Sequence, residues 1–186
     1  MREIVRAGDE SALENLVNEV ATFCFKEACH SQTIFPDDVF DLILDLLRSE
    51  SFRKMPGGYH LLLWIEYDWA TLSPEQKRRL LCALEEGYTK FSDWMCCFVA
   101  SEILGRFFAD EDAFSVAERL RKTCFGDCRA LLPSAYEKFL IEAKSPSLRR
   151  RAARVLSELQ TDPSPEVRSE VRESERRLRS QGRKYG

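Results

Sequence analysis

Phe35-Pro36-Asp37, Ser73-Pro74-Glu75, Ala109-Asp110-Glu111 and Ser145-Pro146-Ser147 each combine a helix stop with a helix start. Each sets a capping residue, or a proline suited to a first helical turn, before polar or acidic side chains. Counted from Pro36, Ser73, Asp110 and Ser145, the separations are about 37, 37 and 35 residues, inside the window of stacked repeat architectures. A second set of starts lies between them, near Gly57-Gly58, Ser92-Asp93, Pro133-Ser134 and Ser164-Pro165. The spacing predicts two helices per period of about 36 residues. Such an array works by presenting a surface, whereas an enzyme would have to carry its chemistry elsewhere in the chain.

The segments between these boundaries read as helices, and none alternates with period two beside hairpin turn chemistry. Residues 9–29 place Leu13, Leu16, Val17, Val20, Phe23 and Cys24 on one stripe. Residues 36–49 are apolar around most of the helix, leaving Asp37, Asp38, Asp41 and Asp45 as a narrow acidic stripe. Neighbouring carboxylates at this spacing repel by a few tenths of a kcal/mol per pair, so the stripe is either solvated or held for a basic partner. The macrodipole accounts for Asp37 and Asp38 at the helix start without any partner.

Residues 59–69 form the most apolar run and predict a central buried helix, ending in Trp64, Glu66, Tyr67, Asp68 and Trp69. Aromatics edged by acids suit a protein interface, although core packing is the commoner use of Trp. Ser73, Pro74 and Gln76 predict a capping box, with Gly87 placed to end that helix. All segments come out helical, and the fold class is all-α.

With 186 residues, 44% hydrophobic and 32% charged, the chain is long enough for one well-buried core, and its length favours one domain. Its apolar runs are too short for a membrane helix, and Met1-Arg2-Glu3-Ile4 leads into acidic sequence unlike a signal-peptide core, so a cytoplasmic protein is expected. Seven cysteines, an odd number on mostly apolar positions, fit free thiols better than a disulfide framework. The net charge of −3 is unevenly spread: residues 148–186 carry eleven Lys and Arg against six Asp and Glu, a balance of +5, leaving −8 on the rest.

No phosphate loop, nucleophile elbow or His-Glu-x-x-His motif is present, and the two histidines, His30 and His60, read as structural. Cys24, Cys29, Cys124 and Cys128 lack the short knuckle spacing of structural zinc sites, so no metal or cofactor is expected. Two arginine groups suggest a nucleic-acid alternative: Arg149, Arg150, Arg151 and Arg154, and the line Arg168, Arg172, Arg176, Arg179 and Arg183. Against it, Glu166, Glu170, Glu173 and Glu175 interleave with that line and can pair with it.

Asp162-Pro163-Ser164-Pro165-Glu166-Val167-Arg168 resembles the turn between the two helices of a repeat in the HEAT and armadillo-like superfamily. Residues 148–159 also resemble the second helix of such a repeat, and 98–107 form a weaker echo with their Ala-x-x-x-Leu-Gly ending. The two stronger likenesses conflict, because their helices start only 19 residues apart, at Pro146 and Pro165. The last helix, sparsely apolar beyond Val167, Val171 and Leu178, fits a terminal cap.

The resemblance implies a right-handed α-solenoid of about four two-helix units over residues 36–178, with residues 9–29 as an N-terminal cap and 179–186 as a frayed tail. It further implies a noncatalytic protein-binding role. The expectation in its sharpest form is a chain similar to the small acidic HEAT-like immunity proteins and antitoxins of bacteria, meeting a basic toxin through Asp37, Asp38, Asp41, Asp45, Trp64, Glu66, Tyr67, Asp68 and Trp69. Some HEAT-like proteins, the alkylpurine glycosylases among them, hold DNA in a basic groove, which is what the arginine alternative would imply here. A scaffold or chaperone module of a larger assembly is a third expectation.

Overall fold

The computed structural model describes residues 10–28, 35–55, 58–124 and 126–182. His30, Gly57 and Arg183 lie outside them, as do the side chains of Phe23, Cys24, Glu66 and Tyr67. The described residues are helical throughout and contain no strand. In chain order the elements are α1 (Glu10–Ala28), α2 (Asp37–Arg48), α3 (Glu50–Lys54), α4 (Tyr59–Leu63), α5 (Ile65–Asp68), α6 (Pro74–Tyr88), α7 (Trp94–Glu102), a π-helix (Ile103–Phe108), α8 (Glu111–Thr123), α9 (Gly126–Ala130), α10 (Leu132–Glu142), α11 (Pro146–Leu159) and α12 (Pro165–Ser180). No helix among them is long and apolar enough to cross a membrane.

Local chemistry sets most of the starts. Ser73 Oγ accepts the Gln76 N–H at 3.1 Å while Gln76 Oε1 accepts the Ser73 N–H at 2.8 Å, the expected capping box. Asp110 caps α8 through Ala113, Ser145 caps α11 through Leu148, and Ser164 caps α12 through Val167. Gly87 does not end its helix. It lies inside α6, where an added Cβ would stand 3.0 Å from the Phe91 ring, so its small size serves packing. The run 59–69 is likewise not one helix: it breaks at Trp64 into α4 and α5.

Where length alone favours one domain, the chain divides into two compact units, Met1–Val99 and Ala100–Gly186. In the first, α1 packs on α3, α4 and α5, while α2 packs on α3 and α6. Phe40, Ile43, Leu47, Phe52, Leu61, Trp64 and Tyr88 are closed to solvent there. In the second, α10 is the hub, touched by the π-helix, α8, α9, α11 and α12. Phe114, Tyr136 and Phe139 meet around it with ring centres 5.2–6.4 Å apart, mostly edge to face.

Bonds between helices distant in sequence join residues at a nearly constant offset. In the first unit, Asp37 pairs with Gln76, Asp41 with Arg79 and Arg48 with Glu86, offsets of 39, 38 and 38 residues. Since partners advance together along both helices, α2 and α6 run side by side in the same direction. In the second unit, Glu111 pairs with Arg151 and Arg121 with Glu158, which aligns α8 with α11. Ser134 pairs with Glu170 and Glu137 with Arg177, which aligns α10 with α12.

The π-helix closes with the Ala109 N–H donating to Leu104 O at 3.2 Å, and Ala109 itself takes the left-handed conformation at φ 46°. Gly105 is what lets this segment meet α10: a Cβ there would stand 2.2 Å from Ala135 O and 2.6 Å from Lys138 Cβ. Because the nearer obstacle is backbone, it cannot rotate away. Gly105→Ala is therefore expected to cost about 1–3 kcal/mol of stability, as overpacking does, measured by urea denaturation. Gly126→Ala, at a site with no atom within 4 Å of the new Cβ but φ of +58°, probes backbone strain alone.

Candidate functional site

The acidic line of α2 does not stand free. Gln76, itself 1% exposed, donates to Phe35 O and to Asp37 Oδ1, both at 2.9 Å. Arg79 donates to Asp41 Oδ1 at 2.6 Å, its guanidinium 5.4 Å from the centre of the Phe40 ring. Asp45 is half-buried on the same line and is not free either. The side facing α6 thus holds a bond from a neutral amide and one ion pair, and Asp38, exposed beside it, makes no ion pair among the described residues. Such exposed pairs each contribute less than about 1 kcal/mol.

The aromatic half of the predicted surface is mostly absent from the surface. Trp64 is fully buried, its ring stacked on Phe35 at 4.8 Å. Asp68, one turn later, is 3% exposed. Neither can touch a partner without unpacking the unit. Trp69 is half-exposed under the Lys77 ammonium, 4.6 Å from its ring. His60 faces solvent instead of the core. The side chains of Glu66 and Tyr67 lie outside the described residues.

Sequence reasoning missed Trp94, the large apolar side chain left exposed among the described residues, at 56%. Its signal was faint: α7 is apolar on every side, so periodicity does not say which residue is left uncovered.

In the second unit the arginines divide between two helices that both pack on α10, α11 being bonded to α8 as well. Arg149 donates to Ala143 O, and Arg168 to Asp162 O and Pro163 O, so both tie down their own turns. Arg154 lies 3.9 Å from Glu158, and Arg176 pairs with Glu173 at 2.7 Å. Arg150 and Arg172 are exposed without an ion pair among the described residues. The likeness at 162–168 marks a real polar joint. Asp162, 7% exposed, accepts two bonds from Arg129 and one from the Ser164 N–H; although burial alone would raise its carboxyl, these bonds hold it below the usual range.

No family model matches the chain, and no curated protein or solved structure matches it either. Function therefore has to be read from chemistry alone.

The densest polar cluster sits where α10 meets α12 and the α7 end. Glu137 is fully buried, with Oε2 taking the Arg177 Nε at 2.8 Å and Nη2 at 2.7 Å. Arg177 also reaches Glu170 at 2.7 Å and Ser174 at 3.1 Å, and Ser134 donates to Glu170. Lys138 stands 3.3 Å from Glu102 and 4.0 Å from Glu137. Burial pushes the Glu102 carboxyl up, against the pull of Lys138. Burial works against the charge of Arg177, yet its bonds to Glu137 and Glu170 raise its pKa overall. No donor reaches Glu137 Oε1. Nothing in the cluster pairs a nucleophile with a base; it holds α12 in place.

Two substitutions separate buried from exposed pairing. Arg177→Met strands the Glu137 charge in the interior and is expected to cost about 3–5 kcal/mol. Arg79→Met, breaking a partly exposed pair, is expected to cost less than about 1 kcal/mol. Chemical denaturation of both variants measures the difference.

Proposed function

We propose that this chain is a noncatalytic helical-repeat protein that acts by binding another protein through the acidic face of its first unit. One observation carries the reading: both units are built from helices tied to neighbours 33–41 residues away, the offset expected of stacked hairpins. On this reading the pairs are α2 with α3–α5, α6 with α7, α8 with α10, and α11 with α12. The conflict between the two HEAT-like stretches then resolves in favour of 162–168, because α12 lies beside α10 as a second helix beside a second helix. The finer assignment, a right-handed solenoid of about four HEAT-like units, rests on this offset and on the resemblance.

The partner is basic. Residues 1–99 carry seventeen Asp and Glu against ten Lys and Arg, a balance of −7, and Asp37 and Asp38 are exposed at the start of α2. With Trp64 and Asp68 inside, charge on Asp37, Asp38, Asp41 and Asp45 steers the encounter, and the lifetime of the complex falls to other contacts. In its narrowest form this is an immunity protein that blocks a toxin; the free thiols of Cys82 and Cys124 suit a cytoplasmic setting.

A second reading has its own support in unit two. Residues 100–186 carry eighteen Lys and Arg against fourteen Asp and Glu, and the exposed Arg150 and Arg172 are available to phosphates.

Affinity capture from the native host with wild type and Asp38→Lys tests the first reading. One stoichiometric basic partner is expected, with association slowed several-fold by the charge reversal and little loss of stability. Recovery of no protein partner, together with micromolar or tighter nucleic-acid binding that falls steeply with salt, transfers the function to the arginines.

A further inference from the structure

Trp64 and Asp68 lie one helical turn apart where α4 gives way to α5, and the Asp68 N–H donates to Trp64 O at 3.0 Å across the break. Both side chains are closed to solvent. The indole Nε1–H reaches no acceptor, and Asp68 Oδ2 receives no donor. A donor and an acceptor are therefore buried and unmet on one side of the same turn. Buried polar groups are almost always satisfied, so an unmet donor and acceptor one turn apart call for a physical account.

The surroundings offer the carboxylate no counter-charge among the described residues. α5 packs on α1 and α4. The inward side chains of α1 are Leu13, Leu16, Val17 and Val20, whereas its Glu14 and Glu19 are exposed, as is His60 of α4. On α3, which also packs on α1, Glu50 and Lys54 pair with each other in solvent. The nearest described lysine or arginine in sequence, Lys77, is engaged over Trp69.

We propose that Trp64 and Asp68 form a proton-operated catch in the first unit: uptake of a proton by the Asp68 carboxyl tightens the packing of α4 and α5 on α1, and its loss loosens it. Protonation removes an uncompensated charge from the interior. Burial pushes the carboxyl from the usual 3.8 up to about 6, which places the catch close to neutral pH. Because the folded-state value lies above the unfolded one, the stabilisation is complete below about 3.8 and is lost as pH rises through about 6. Conditions that acidify the protein thus firm up this unit, opposite to the usual loss of stability when paired carboxylates are protonated.

Two measurements on the full chain test this. Asp68→Asn is neutral at every pH and nearly isosteric, so relative to wild type it is expected to favour folding at pH 7.5 by about tenfold or more over its effect at pH 4.5. An equal effect at both pH values overturns the proposal. In a Trp69→Phe/Trp94→Phe background, Trp64 is the sole tryptophan, and its emission is expected to titrate with a midpoint near 6 while Asp68 is present. This titration needs no substitution at Asp68, so it decides the matter even if Asp68→Asn fails to fold; a flat emission between pH 5 and 7 overturns the catch.

Discussion

Parallel neighbouring helices bring like dipole ends together, and every laterally bonded pair in this chain has to answer that constraint. Two adjacent N-termini each present about half a positive charge, and two adjacent C-termini half a negative one. α2 meets it with Asp37 and Asp41 near its positive end, joined to Gln76 and Arg79 of α6, and with Arg48 near its negative end, joined to Glu86. α8 and α11 repeat the arrangement through Glu111 with Arg151 and Arg121 with Glu158. Apolar stripes supply most of the cohesion, but a stripe tolerates sliding. The charge pairs, weak as each exposed one is, set which residue stands opposite which.

The interior treats charge in two ways. Glu137 and Asp162 are buried with arginines donating to them, so their cost is offset by short, charge-assisted bonds that hold α10 to α12 and α9 to the start of α12. Asp68 is buried with no such partner. The first kind makes packing specific; the second makes it conditional.

What could be read from the sequence was local. Ser73, Asp110, Ser145 and Ser164 are legible as caps because a cap needs only its own first turn, and the spacing between them is a property of the string. The line of Asp37, Asp41 and Asp45 was legible as a line but not as one that faces Arg79, since partners 38 residues away leave no local trace. Trp64 and Asp68 were offered to an interface against the commoner core reading because the apolar run 59–69 has no polar face to orient it; the structure puts both inside. Gly87 misled for a related reason. A glycine near a helix end suggests a stop, whereas here its missing side chain makes room for Phe91. The π-helix left no sequence signature beyond Gly105.

That π-helix holds one residue more than an α-helix would need to cover the same length. Its six residues act as a spacer that resets the rotation of the chain after α7. Removing a single residue between Ile103 and Phe108 would restore α geometry and turn everything that follows by about 100° about the helix axis. Gly105 would swing off the Ala135 carbonyl, and a bulky neighbour would take its place. The segment is therefore intolerant of deletions that a surface loop of equal length would absorb.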